Sequence, residues 1–187
     1  KVEHVNYNAT RRVAESCLSL GIPMIHLSST SVYGSAATVV DEDCSSADLK
    51  PQSPYAETKL REERLLQEMA AKDGLRHVTF RFGTIVGTSP GMRFHTAVNK
   101  FCWQAVFGHP LTVWRTALHQ RRPYLDLADA LSAVFFFIDQ GRIDGRIYNI
   151  VTRNLTVADI IAMIETHIPA PAIDYVENEI MNQLSYE

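Results

Sequence analysis

The chain of 187 residues lacks the features that mark disulfide-rich, metal-binding and repetitive proteins. Its three cysteines, Cys17, Cys44 and Cys102, lie far apart, and none has a second cysteine or a histidine at the spacing of metal ligands. We therefore expect no disulfide framework, no bound metal and a reducing, cytoplasmic setting. No internal repeat and no low-complexity tract is present.

Positive charge and long apolar runs are also scarce. The formal net charge is -3, and the cationic pair Arg121-Arg122 is followed at once by Pro123 and Tyr124. This pattern argues against a nucleic-acid partner. The longest apolar run, residues 133–138, is too short to cross a bilayer, so we expect no membrane partner.

Helix-forming and strand-forming patterns alternate along the chain. Helices are predicted near residues 4–20, 54–72, 94–107, 128–139 and 157–167, and strands at residues 24–28, 77–82, 111–114, 123–127 and 146–151. Ser53-Pro54 is typical of a helix start, and Thr156 with Asp159 is typical of a capping box. This alternation predicts an α/β protein with a mostly parallel sheet.

Tyr55 and Lys59 stand four residues apart in a predicted helix, so their side chains share one face. Tyrosine is a poor base at neutral pH, but a nearby cation favours the phenolate form. The pair therefore indicates proton transfer by Tyr55. Alone it is a weak signal, because pairs of this kind also arise by chance.

A run of hydroxyl side chains, Ser28-Ser29-Thr30-Ser31, follows the predicted strand at residues 24–28. The carboxyl ends of parallel strands are where open α/β sheets gather ligands, so these hydroxyls could polarise a C–O bond of a substrate. Alone, the run is read equally well as a turn that ends the strand. The Tyr55/Lys59 pair favours the functional interpretation.

Taken together, these segments resemble the central block of extended short-chain dehydrogenases/reductases, in the NAD-dependent epimerase/dehydratase group that includes UDP-galactose 4-epimerase. The block reads Ser28-Ser29-x-Ser31-Val32-Tyr33-Gly34, then an acidic loop, then Pro51-x-Ser53-Pro54-Tyr55-x-x-x-Lys59. Four further segments extend the resemblance over most of the chain: Val5 to Thr10, Phe80 to Gly87, Gly108 to Val113 and Arg122 to Asp129.

For the fold, the resemblance implies an incomplete Rossmann-like, doubly wound parallel sheet with a small C-terminal α/β substrate-binding part. Residues 1–88 would be the C-terminal half of the NAD(P)-binding domain and would carry the catalytic groups. Residues 89–121 would bind substrate, residues 122–151 would return to the Rossmann sheet, and residues 152–187 would complete the substrate part. The resemblance also implies a homodimer.

For the cofactor, the resemblance implies NAD, with NADP left open. It places Ser29 on the catalytic serine that holds the reacting oxygen, Tyr55 on the base and acid, and Lys59 on the group that binds the nicotinamide ribose. The residues that it places near the cofactor are Asn6, Ser28, Tyr55, Lys59, Phe82 and Ile85.

For the substrate, the resemblance implies a nucleotide sugar. The residues that it places near this substrate are Ser29, Thr30, Ser31, Thr84, Arg93, Asn99 and Arg122. Arg122 would clamp the diphosphate, because a guanidinium suits bidentate phosphate binding. Asn99 lies one residue from the position where several relatives use an asparagine.

Departures from the family pattern narrow the expected reaction. Relatives that eliminate water or carbon dioxide carry acidic residues where this chain has Thr30 and Ser31, and many epimerases have asparagine in place of Thr84. We therefore predict an NAD-dependent epimerase that acts on a nucleotide sugar through a transient keto intermediate. The alternatives are an NAD(P)-dependent reductase or dehydrogenase, and a non-catalytic or truncated family member.

The largest departure is the absence of a glycine-rich turn. Such a turn lets a dinucleotide pyrophosphate approach a helix N-terminus, and none of the nine glycines forms Gly-x-Gly-x-x-Gly. The nearest set, Gly83, Gly87 and Gly91, is interrupted by Pro90. We therefore expect the first βαβαβ unit, with most adenosine and pyrophosphate contacts, to lie outside this sequence.

Overall fold

A computed structural model describes residues 2–34, 39–45 and 47–177, so the last ten residues of the predicted segment 152–187 lie outside the described part. The described helices are α1 (Val2–Leu20), α2 (Pro54–Asp73), α3 (Ala97–Val106), α4 (Leu127–Asp139) and α5 (Val157–Glu165). The strands are β1 (Met24–Ser29), β2 (His77–Phe82), β3 (Thr84–Val86), β4 (Leu111–Trp114), β5 (Arg122–Asp126), β6 (Ile147–Ile150), β7 (Arg153–Leu155) and β8 (Ile173–Val176). The predicted α/β class is confirmed.

The main sheet has the order β1-β2-β6, and its strands are all parallel. Met24 pairs with His77 at one end of β1 and β2, and Ser29 pairs with Phe82 at the other. Helix α2 makes the crossover between these two strands. The carboxyl ends of β1 and β2 therefore lie side by side, which is where a parallel sheet offers a ligand site.

Residues of β2 alternate between two different environments, because successive side chains of a strand point to opposite faces. Val78, Phe80 and Phe82 pack with Ala130 and Phe137 of α4 in an apolar cluster. The polar residues between them lie on the opposite face, toward α2, where a buried Arg81 reaches Glu63. The sheet is covered by helices on both faces, as a doubly wound arrangement requires.

Helix α2 begins and ends as its sequence predicts. The Ser53 hydroxyl accepts a hydrogen bond from the Ala56 amide at 3.1 Å, and Pro54 opens the first turn. Gly74 ends the helix with a left-handed backbone at φ 78°, a conformation that glycine adopts without a steric penalty. Because the start of α2 is fixed in this way, Tyr55 lies in its first turn.

Residues 84–126 and 152–177 build the smaller part of the molecule. Strand β5 lies between β3, which is parallel to it, and β7, which is antiparallel, while β4 and β8 form a separate parallel pair. A core that includes Phe101, Leu111 and Ile160 joins α3, β4 and α5. Helix α5 starts at the predicted capping box, in which Thr156 and Asp159 exchange hydrogen bonds.

Three short strands were not predicted: β3, β7 and β8. β3 lies between Gly83 and Gly87, and a strand of three residues has too little alternation to be recognised. Helix α3 begins at Ala97 rather than residue 94, with Thr96 as its N-cap. In the described ranges, no helix has the length and apolar character needed to span a membrane.

Candidate active site

A cavity of about 580 Å³ opens at the carboxyl edge of β1 and β2. Its size is typical of small-molecule sites. Residues from β1, α2, β2, β3, α3 and α4 surround it: Leu27, Ser28, Ser29, Tyr55, Lys59, Phe82, Gly83, Ile85, Gly87, Ser89, Gly91, Met92, Arg93, Thr96, Asn99 and Leu127. The cavity therefore contains Ser29, Tyr55 and Lys59 together.

Tyr55 and Lys59 reach this cavity from one face of α2. The Lys59 ammonium lies 6.0 Å from the centre of the Tyr55 ring, and the Tyr55 side chain is 43% exposed, so a ligand can reach it. Lys59 Nζ donates to the Leu27 carbonyl at 3.0 Å and to the Glu62 carboxylate at 2.9 Å. Since an ammonium has three donors, one remains for a ligand.

Ser29 caps the short 3₁₀ turn at Thr30–Tyr33. Its hydroxyl oxygen accepts from the Ser31 amide at 3.2 Å and from the Ser31 hydroxyl at 2.9 Å. A serine oxygen has two lone pairs and one proton, so the Ser29 O–H remains available as a donor. The structure thus leaves Ser29 able to donate a hydrogen bond to a substrate oxygen in the cavity.

Ser28 lines the cavity, but its hydroxyl points into the protein. The hydroxyl donates to Glu63, and the same carboxylate receives two hydrogen bonds from Arg81, at 3.0 and 2.7 Å. All three residues are buried. This network ties the end of β1 to α2 and β2, so the role it supports for Ser28 is to hold the cavity wall in place.

One wall of the cavity is apolar and lies beside the Lys59 cation. It is formed by Leu27, Phe82, Ile85 and Leu127. An apolar lining next to a remaining ammonium donor fits the nicotinamide-ribose end of a dinucleotide. The described residues contain no glycine-rich turn that would fit the pyrophosphate, so the fit extends only to that end of the cofactor.

Two further cavities continue from Ser29 toward the smaller part of the molecule. The first, of about 130 Å³, is lined by Ser29, Thr30, Ser31, Gly83, Thr84, Arg122 and Pro123. The second, of about 280 Å³, is lined by Thr84, His95, Thr96, Ala97, Lys100, Phe101, Thr112, Trp114, Ala117, Arg122, Tyr124 and Val157. Thr84 and Arg122 line both, and Ser29 and Gly83 line the first of them as well as the catalytic cavity, so the three cavities adjoin and together are called the cleft.

The formally charged side chains that line this cleft are all cationic. Lys59, Arg93, Lys100 and Arg122 line it, whereas no aspartate or glutamate of the described chain does so. Cations in a cleft without carboxylates attract a ligand that carries several negative charges. A molecule with a diphosphate group meets this requirement.

Asn99 contacts Arg93, but the contact is with the Arg93 backbone and not with its side chain. The buried Asn99 amide donates to the Arg93 carbonyl at 3.1 Å and accepts from the Gly87 amide at 3.4 Å. Asn99 therefore braces the loop between Gly87 and Arg93. Arg93 lines the cavity, and its guanidinium has no ion-pair partner within the described ranges.

Two of the predicted site residues, Asn6 and Thr30, are placed differently from the prediction. Asn6 is half-buried on α1 and is not among the residues that line the cleft. Thr30 lines the small cavity, but it is buried and donates a hydrogen bond to the Phe82 carbonyl.

The sequence interpretation missed Lys100 and Trp114 in the cleft and Glu62 beneath it. Trp114 could have been found from β4, where Leu111 and Val113 are buried and Trp114 takes the alternate face. Glu62 follows Lys59 by three residues, which places both on the same side of a helix.

Comparison with known proteins confirms the family that the sequence resembles. The model of the NAD-dependent epimerase/dehydratase family matches residues 1–151. An uncharacterized UDP-glucose epimerase, YtcB, of Bacillus subtilis (strain 168) is 29% identical over 164 residues, which cover 86% of this chain and 49% of that protein. A UDP-glucose 4-epimerase of Azospirillum brasilense is 36% identical over 112 residues, covering 59% of this chain and 30% of the relative.

Among solved structures, the UDP-glucuronic acid 4-epimerase of Bacillus cereus, in complex with UDP-glucuronic acid and NAD, superposes with a TM-score of 0.81 at 26% identity. This match covers 92% of this chain and 55% of that one, so the chain spans about half the length of such relatives. Because the family model covers far more than half of its residues, the chain belongs to the NAD-dependent epimerase/dehydratase family.

Proposed function

We propose that the protein is an NAD-dependent epimerase that acts on a nucleotide sugar through a transient keto intermediate. The observation that carries this proposal is the presence of Ser29, Tyr55 and Lys59 in one cavity, which continues into a cationic cleft. The chain spans about half of its relatives, so the proposal concerns the protein at its native full length.

In the proposed reaction, Tyr55 takes the proton from a sugar hydroxyl and later returns it. Ser29 donates a hydrogen bond to the reacting oxygen and keeps it near Tyr55. Lys59 favours the phenolate and binds the nicotinamide ribose through its remaining donor. NAD, when bound, supplies the acceptor and donor for the hydride.

The cationic cleft supports a nucleoside diphosphate as the carrier of the sugar. Arg122 and Lys100 line the cavity that would hold the diphosphate, and a guanidinium suits bidentate phosphate binding. Arg93 adds a cation in the catalytic cavity, where it would meet a sugar hydroxyl or carboxylate. Thr84, at the boundary of two cavities, would contact the sugar.

Epimerisation is favoured over elimination because elimination needs an acid beside the reacting carbon. None of the described residues that line the cleft is a carboxylic acid. A net reductase or dehydrogenase is the remaining alternative, since it would use the same three catalytic groups. Stoichiometric consumption of NADH during turnover would identify a reductase, whereas an epimerase regenerates its cofactor.

Exchange of Tyr55 for phenylalanine tests the proposal. Tyr55→Phe at native full length should lower turnover of a UDP-sugar by about 10²–10⁴-fold, because a positioned acid-base group contributes this much. Cofactor binding, measured by titration calorimetry, should stay within about threefold, because Lys59 and the apolar wall remain in place.

The matched control is Tyr175→Phe, which removes the same hydroxyl from a partly exposed residue that lies outside the cleft and stacks on Arg115. Its turnover should equal that of the parent. Unchanged turnover in Tyr55→Phe would remove Tyr55 from the mechanism.

We further propose that the protein works as a cytoplasmic homodimer. The support is the family resemblance, the exposed Val5, Val13 and Leu20 on α1, and the absence of disulfides among the three cysteines. Sedimentation equilibrium at native full length would show a single dimeric mass, and a monomer at micromolar concentration would contradict the dimer.

A further inference from the structure

We propose that Glu62 is a positioning residue for the Tyr55–Lys59 pair: its buried carboxylate holds the Lys59 ammonium at the cavity wall and offsets part of its charge. This proposal rests on the proposed function, in which Lys59 binds the cofactor ribose and favours the Tyr55 phenolate. Glu62 lies one helical turn beyond Lys59 and does not line the cleft.

The contact between Glu62 and Lys59 is direct. Glu62 Oε2 lies 2.9 Å from Lys59 Nζ, and the Glu62 side chain has no exposed surface. The Leu27 carbonyl supplies the second acceptor for the same ammonium, at 3.0 Å. Two fixed acceptors orient the ammonium, and its third donor is left for a ligand. A flexible lysine side chain is thereby held in one position, which positioning at an active site requires.

No other cation is available to Glu62 in the described structure. His26 of β1 approaches the same oxygen at 3.5 Å, but burial, and then the charge of Lys59, lower the pKa of His26 to about 3. His26 is therefore neutral at working pH. The nearby Arg81 of β2 is engaged by Glu63, and the second oxygen of Glu62 has no hydrogen-bond partner.

The remaining elements add no competing charge in the described ranges. His77 of β2 is buried, and burial lowers its pKa, so it too is neutral at working pH. Helix α1 meets α2 through Tyr7, whose ring lies 4.8 Å from the guanidinium of Arg61. Glu62 and Lys59 thus form a pair in which each offsets the charge of the other, with Tyr55 beside Lys59.

Removal of the Glu62 charge should therefore strengthen the positive potential at Tyr55. In Glu62→Gln, which keeps the size and an acceptor oxygen, Tyr55 should ionise about one pH unit lower, because the unit charge that offsets Lys59 is removed. In Glu62→Asp the negative charge stays, but the shorter side chain no longer reaches the Lys59 ammonium. Tyr55 should therefore ionise near its parent pH, while NAD affinity falls by about tenfold because Lys59 is less well positioned.

Ultraviolet difference titration measures this effect directly. The phenolate absorbance of each variant at native full length is compared with that of the same variant carrying Tyr55→Phe, which isolates Tyr55. The control is Glu68→Gln, which removes a carboxylate from the exposed side of α2 and should leave the titration unchanged. The acidic limb of the turnover profile should move with the Tyr55 titration.

Equal titration of Tyr55 in Glu62→Gln and Glu68→Gln would overturn the proposal. If Glu62→Gln does not fold, the NAD affinity of Glu62→Asp decides, and an affinity equal to that of the parent overturns the proposal as well. Failure of the proposed function is separate, because it appears as a lack of sugar-nucleotide turnover in the parent, whereas the Tyr55 titration needs no turnover.

Discussion

The two faces of the β1-β2-β6 sheet are both buried at its central strand β2, yet opposite kinds of contact hold them. Toward α4, the face is an apolar cluster in which Phe80 and Phe137 pack edge to face with ring centres 4.7 Å apart. Toward α2, the face carries polar side chains, and the Arg81–Glu63 ion pair lies in it with 2% of each side chain exposed.

The difference shows that one face contributes mainly to stability and the other mainly to the positions of side chains. An apolar face gains free energy from burial alone and tolerates changes that keep volume. A buried ion pair gains little net stability, but its geometry is strict because each charge needs its partner. The polar face lies directly beneath Ser28, Tyr55 and Lys59, so its strict geometry holds the residues of the cavity.

The strongest test of this contrast is Arg81→Met. Burial alone would lower the pKa of Arg81, but its hydrogen bonds and ion pair with Glu63 outweigh burial and raise it, so Arg81 is charged at working pH. Loss of one partner leaves a buried charge unpaired and should lower the free energy of unfolding by about 3–5 kcal/mol. Urea denaturation measures the change.

The matched control for Arg81→Met is the double variant with Glu63→Leu, which removes both charges. It should recover most of the lost free energy, because an apolar pair can replace a buried ion pair at little cost. A double variant as unstable as the single one would show that the two charges do not act as a pair.

A second test uses pH, because the polar face contains His26. The pKa of His26 is about 3 in the folded protein, below its ordinary value of 6.5, so between these values the unfolded chain binds the additional proton. Stability should therefore fall as the pH drops below about 6.5, by up to about 1.4 kcal/mol per pH unit from this residue.

The variant His26→Gln should lose the part of the pH dependence of the free energy of unfolding that His26 contributes. Denaturation curves between pH 6.5 and 4 compare it with the parent, and His77 remains in both proteins with a pKa that burial lowers in the same direction. Parallel stability curves for the two proteins would contradict a neutral, buried His26.

The smallest expected effect is on the apolar face. Phe80→Leu keeps an apolar side chain of similar volume in a site with no exposed surface, so it should cost on the order of 1 kcal/mol. Thermal denaturation would measure the loss, and turnover should be retained because Phe80 itself does not line the cleft. A loss as large as that of Arg81→Met would erase the contrast between the faces.

Much of the fold could be predicted because the signals are local. The caps at Ser53 and Thr156 act within one turn of their own helices, so their positions were predicted correctly. Strands as short as β3 carry almost no periodic signal, and β3 pairs with β5, which begins 36 residues after β3 ends. Such a pairing depends on tertiary contacts.

The candidate site also combines features that the sequence predicts with features that depend on tertiary contacts. The sequence by itself determined that Tyr55 and Lys59 share one helix face and that hydroxyl side chains end a strand, because spacing dictates both. Only the tertiary structure decided that Ser28 turns inward to Glu63 while Ser29 lines the cavity. It also decided that Asn99 braces a loop and that Glu62 holds Lys59, because these contacts join groups whose geometry depends on how helices and strands pack.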